Sequence, residues 1–497
     1  MGIVIKKSIT TSIISYIGIL LGVISVLWLQ TAIITELQIG ILSYIVDVTI
    51  LLLPLILFGT SGIPVRFLHL FKENKNRNQF ITSLFIIPAI SIFLFLLLFL
   101  IFKQEIFLLL GKNTSQYSDY LIFIFPLLFC YSYQYLIEAI LSTESLIVFS
   151  SFLKNIQRRL VLILLLVLYH FKIISFYQLV QWYVFSHLIE TIALYFFFTN
   201  HFQFKFSNPL PILKHPNLKE FISYGLYLII GVSGLVMVGK IDTVMINSLT
   251  NNFELLGVYA IAFFIGSVIE IPKRIVHQLV FPIMSKLVAE DNKEELEKLY
   301  KQSGINLSIL GVFLFLIIWF NIDELFLLIP NGEKYVAGKW VVFFIGLSKV
   351  IDVGFGTTDL VIYSTKYYKM NIFLAPILIL LTIITNYLFI PKFGIIGAAI
   401  ATTITVLLYS TLKIILVNSM LKLNQFNSNY ISILGITIFI TIIFYFKPIF
   451  FSNNFLEIIA NSTIISIIFI GGILTFKTSN EINDFVKNNL KKYLKTN

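Results

Sequence analysis

Glu270, Lys273, Arg274 and His277 are ionisable side chains set three or four residues apart inside an otherwise apolar run. On an α-helix that spacing gathers them on one face. Two readings stand side by side. Glu270 is internally paired with Lys273 or Arg274, or the two bases line a cavity, where an arginine fork grips phosphate bidentately. Lys349 and Asp352 repeat the pattern further on, with Asp359 two turns beyond, as an intrahelical pair or a substrate contact. Lys240 and Asp242 end another apolar run, where a structural ion pair is expected. Glu138 and Glu190 are single carboxylates near the ends of runs, placed for a coupling proton or cation or for the interface. A charge at the centre of a membrane helix costs roughly 2.5–3.5 kcal/mol, so such residues face a partner or a wet cavity.

Catalytic patterns are missing from the sequence. It has no His-Glu-x-x-His, P-loop, Gly-x-Ser-x-Gly or cysteine cluster, and its 6 histidines are scattered. The single Cys130 allows neither a disulfide nor a thiolate metal site. A carrier without metal or other cofactor is expected, rather than an enzyme or an ATP-driven pump.

The elements that must position these charges are membrane helices. Of 497 residues, 58% are hydrophobic and 12% charged, and the mean hydropathy is +0.92. Soluble domains carry roughly 25% charged residues. Runs such as Ile81 to Phe102 and Ile372 to Ile390 approach or exceed the roughly 20 residues that cross a bilayer. They lack the alternation of a barrel, so they must be helices. Spans are predicted at about 9–30, 39–60, 80–102, 120–141, 152–170, 176–199, 219–239, 256–284, 303–321, 336–357, 371–390, 395–417, 429–447 and 456–476. If both termini are cytoplasmic, Lys and Arg crowd the inner side (Arg66, Lys72, Lys75, Arg77, Lys154, Arg158, Arg159, Lys205), while the outer loops hold few (Lys103, Lys112, Lys334, Lys392). That asymmetry accounts for most of the +11 net charge, so no nucleic-acid partner is needed.

The fold class is thus an all-α polytopic membrane protein of about fourteen transmembrane helices. An N-lobe of six helices (1–200) is followed by a Pro-rich cytoplasmic linker (201–218) and a C-lobe of helices seven to twelve (219–418). Helices thirteen and fourteen and a basic tail complete the chain (419–497). The charged stretch Lys286 to Lys301 is expected as an amphipathic surface helix or a solvated connector. The halves echo each other: Ser15-Tyr16 then Gly22-Val23 against Ser223-Tyr224 then Gly231-Val232, and Glu36-Leu37 then Gly40-Ile41 against Glu254-Leu255 then Gly257-Val258. A parallel repeat of this kind would enclose a central cavity.

Three stretches resemble polysaccharide flippases of the Wzx type, in the multidrug/oligosaccharidyl-lipid/polysaccharide exporter superfamily. They are Ile241-Asp242-Thr243-Val244-Met245-Ile246 with Gly257-Val258-Tyr259-Ala260, then Val280-Phe281-Pro282-Ile283-Met284-Ser285-Lys286, and Ile390-Pro391-Lys392-Phe393-Gly394 running into Gly397-Ala398-Ala399. In the third, Pro and Gly make a tight hairpin and the small residues let helices approach closely. The resemblance implies a flippase in the bacterial inner membrane that moves undecaprenyl-diphosphate-linked oligosaccharide to the periplasmic leaflet by alternating access, ahead of the polymerase machinery that consumes it. Members of that family are thought to use a cationic cavity and a cation or proton gradient. In this chain the cavity bases would be Lys273, Arg274, Lys349 and Lys240, and the coupling or ion-pair acids Glu270, Asp352, Asp242 and Glu138. A multidrug extruder of the same superfamily is the alternative, although such carriers favour acidic cavities. An O-antigen polymerase or ligase resembles proteins with a large outer loop bearing arginines, and the outer loops here are short.

Overall fold

Lipid offers nothing to an unpaired N–H or C=O, so each apolar run closes its hydrogen bonds within itself. The computed structural model describes residues 2–110, 117–231, 233–446 and 451–484. The outer-loop Lys112 and most of the basic tail beyond residue 484 lie outside the described residues. The fold is all-helical, and the membrane-spanning stretches follow the expected order. They are α1 (2–33), α2 (Glu36–Leu57), α3 (Asn74–Ile101), α4 (Ser118–Thr143), α5 (147–170), α6 (Phe176–Phe202), α7 (218–231 and 233–250), α8 (Phe253–Ala289), α9 (Lys293–Trp319) and α10 (339–364). After them come α11 (371–393), α12 (395–421), α13 (Asn429–Tyr445) and α14 (Asn454–Thr475). Among the described residues, 8 helices are individually long and apolar enough to cross a membrane. Within α1 and α5, π-helical turns at Ile24–Gln30 and Leu153–Gln157 join shorter α-helical segments.

Local chemistry sets the ends. Thr35 with Gln38 and Ser175 with Gln178 form reciprocal capping boxes that start α2 and α6. The hairpin between α11 and α12 turns on Gly394, whose φ of 57° suits a residue without Cβ. Several helices outrun their predicted spans. α7 continues to Thr250 and α10 to Ser364, which places Lys240, Asp242 and Asp359 inside helices. The charged stretch at 286–301 forms no separate surface helix. It is the end of α8 and the start of α9, with Asn292 capping the latter.

By packing, the chain divides into two units: Met1–Ala260 with Lys369–Ala398, and Ile261–Tyr368 with Ala399–Asn497. In the first unit an aromatic core joins Phe80 and Phe85 of α3, Phe198 and Phe202 of α6, Phe204 of the segment that follows and Phe221 of α7. In the second, Ile305, Ile309 and Leu316 of α9 pack against Ile433, Ile436 and Ile440 of α13 and Ile465, Phe469 and Ile473 of α14.

Candidate functional site

The second unit holds a ladder of charges across α8, α10 and α12. Pro272 cannot donate to the carbonyl four residues back, and α8 tightens there into a 3-10 turn over Val268–Glu270. Just past that turn, Lys273 donates to Asp352 Oδ1 of α10 at 2.7 Å and lies 3.9 Å from Asp359 Oδ2. Asp359 also accepts from Lys413 of α12 at 2.6 Å, and the Lys413 side chain is only 2% exposed. One turn before Lys273, Glu270 Oε2 accepts from Lys349 Nζ of α10 at 2.6 Å, and its Oε1 lies 3.4 Å from Arg274 Nη2.

Lys349 and Asp352 therefore do not pair with each other. They pair with Glu270 and Lys273, both at a sequence offset of 79. Helices that run in the same direction keep such an offset constant, so a minus-plus step on α8 meets a plus-minus step on α10. Lys273 and Arg274 also part company. The Lys273 side chain is 13% exposed and held by two carboxylates, whereas Arg274 is 73% exposed. Consecutive helical residues point about 100° apart, so a single face for all four charges does not survive in three dimensions.

In the first unit, Lys240 does not pair with Asp242. Residues two apart project to opposite sides of a helix. Lys240 instead bonds Asp47 of α2, which also accepts from Thr243 at 2.7 Å. Asp242 is buried and accepts from Tyr259 of α8 at 2.8 Å and Asn386 of α11 at 2.7 Å. Glu138 lies 3.4 Å from Lys154, which sits over the Tyr135 ring.

Glu190 is not a single interfacial carboxylate. It is buried, and Arg158 donates to both its oxygens, at 2.7 and 2.9 Å. Arg158 also donates to Gln134 at 2.7 Å and lies over the Tyr131 ring. Although its sequence position suggests an inner-side base, Arg158 directly follows the π-helical turn of α5, well inside the helix. His187 completes the group, its Nδ1 lying 3.4 Å from Glu190.

Asp47, Arg158 and Lys413 escaped the sequence reading as site residues. Asp47 and Lys413 are single charges in long apolar runs, which is a readable signal. Arg158 sits too near other bases to stand out.

Comparison with known proteins gives a consistent answer. The structure resembles a lipid II flippase, MurJ, in an inward closed conformation, with a TM-score of 0.69 and 15% identity over 94% of this chain and 99% of that one. It also resembles an inward-facing multidrug resistance transporter of the MATE family in the MOP superfamily, with a TM-score of 0.58 and 14% identity over 82% and 93%. At these identities the likeness is one of fold. An uncharacterized membrane protein of Methanocaldococcus jannaschii is 24% identical over 302 residues, or 58% of this chain, and the match spans 57% of that relative's length. The family model described as Polysaccharide biosynthesis protein matches residues 4–288, more than half the sequence. With its all-helical fold and its apolar, charge-bearing spans, the chain belongs to the polysaccharide biosynthesis protein family.

Proposed function

We propose that this protein is a flippase carrying undecaprenyl-diphosphate-linked oligosaccharide from the cytoplasmic to the periplasmic leaflet, by alternating access, for cell-surface polysaccharide. The observation that carries the reading is the charge balance of the ladder. Lys273, Arg274, Lys349 and Lys413 face Glu270, Asp352 and Asp359, four bases against three acids within apolar helices. A surplus of positive charge at membrane depth suits an anionic head group whose lipid tail stays in the bilayer. Arg274, the most exposed member, offers a fork that fits phosphate. Lys240, bound to Asp47, is the weaker candidate for contact with cargo. Among the acids, buried Asp242, which accepts from the Tyr259 hydroxyl and the Asn386 amide, is the candidate for a coupling cation or proton. The family and the fold relatives point to transport and not to enzymatic turnover.

The test compares two neighbouring bases. Arg274→Ala is expected to leave protein level in the membrane unchanged and to cut surface polysaccharide at least tenfold, as loss of a charge-assisted phosphate contact would. Lys273→Ala strands Asp352 and is expected to lower protein level as well. Normal polysaccharide in Arg274→Ala and in Lys349→Ala would remove these bases from the transport path. The multidrug reading shares the fold, but its cationic cargo does not suit the surplus charge. A change in drug susceptibility on expression, with surface polysaccharide intact on deletion, would favour it.

A further inference from the structure

The carboxylate of Glu270 is divided between two cations, Oε2 accepting from Lys349 at 2.6 Å and Oε1 facing Arg274 at 3.4 Å. The other two lysines of the ladder have acids of their own, Asp352 and Asp359. One carboxylate thus serves both Lys349 and the exposed Arg274. We propose that Glu270 is an internal stand-in for the cargo's phosphate: it keeps Lys349 and Arg274 charge-paired in the empty carrier, and a diphosphate displaces it to bind both bases.

The proposal rests on the flippase reading and adds the residue that sets the affinity of its site. A lysine inside an apolar helix pair cannot wait for cargo unpaired, because an uncompensated charge there is costly. A carboxylate brings one negative charge and two oxygens. A diphosphate brings more of both, and matches an arginine fork as well as a lysine. Exchange of the first for the second is therefore favourable without being irreversible. Glu270 also sits where exchange is easiest: it closes the 3-10 turn beside Pro272, a break in the hydrogen-bond ladder of α8. Once released, its carboxylate has Lys273 one turn along the same helix.

Binding to the purified full-length chain in detergent tests this, with farnesyl diphosphate as a short-tailed probe and inorganic pyrophosphate as the head alone. Glu270→Gln is expected to bind both about tenfold more tightly than the wild type, since it removes a competing charge. Adding Lys349→Ala should abolish the gain. Glu270→Asp keeps the pairing charge, and hence the fold, but draws the carboxylate back. It is expected to fall between wild type and Glu270→Gln. The proposal is overturned if neither Glu270 variant binds more tightly, if the gain survives Lys349→Ala, or if it is confined to the farnesyl probe. Surface polysaccharide on deletion is scored separately. If it persists while Glu270→Gln still tightens binding, the cargo reading falls and the stand-in is upheld for another phosphate-bearing anion. If it is lost and binding is not tightened, the stand-in alone falls.

Discussion

Arg158 meets Glu190 through a fork of two N–H···O bonds, with Gln134 taking a third donor and Tyr131 lying beneath the guanidinium. Removing one member of such a buried pair leaves the other charged and unmatched. Arg158→Ala is expected to destabilise the fold by about 3 kcal/mol, read as a lower melting temperature in detergent. Arg158→Lys should recover only part of this, because a point charge cannot replace a planar fork. An Arg158→Ala/Glu190→Ala double variant should be less destabilised than the sum of its singles. At this scale the sequence is informative about which residues are unusual and poor on what they touch. Glu270, Lys273, Lys349, Asp352, Asp242 and Glu190 stand out as charges in apolar runs. Their partners lie on other helices, in the case of Lys240 and Asp47 at a separation of 193 residues, and nothing local in a chain encodes so distant a neighbour.

Between helices, tight packing falls where the two halves of the sequence echo each other. A Cβ on Gly40 would lie 1.9 Å from the carbonyl oxygen of Phe253, and one on Gly257 would lie 1.9 Å from that of Glu36. The first turns of α2 and α8 thus press on each other through the matching glycine of each repeat, which gives the weak internal similarity a physical purpose. Gly40→Ala must push these helix ends apart and is expected to cost about 1–3 kcal/mol. Gly40→Ala with Gly257→Ala should cost less than the sum, since the first substitution already opens the contact. Thermal unfolding of the three variants in detergent measures both effects. Helix number and order were legible from hydropathy, and the Gly394 hairpin from its turn residues. Helix ends were less so, because α7, α8 and α10 run on through polar and charged residues that composition treats as loops. Those charges are accommodated by partners on neighbouring helices, which a hydropathy window does not register.

For the whole molecule, the distribution of Lys and Arg predicts cytoplasmic termini. The single buried Cys130 makes this easy to check. In a Cys130→Ser background, Lys392→Cys is expected to react with a membrane-impermeant maleimide in intact cells, and Lys205→Cys only after permeabilisation. The reverse pattern would invert the topology and the proposed direction of transport with it. The shared offset of 79 between α8 and α10 also bears on how this protein has changed over time. Each rung needs opposite signs at its ends, and Arg274 beside residue 270 and Asp359 beside residue 273 set which sign stands where. Lineages that lose the charge at residue 270 should lose the one at 349 as well, and the same holds for 273 and 352. Along the genealogy of this family the four positions should drift as two coupled couples, and an insertion of one residue between 349 and 352 should never be inherited.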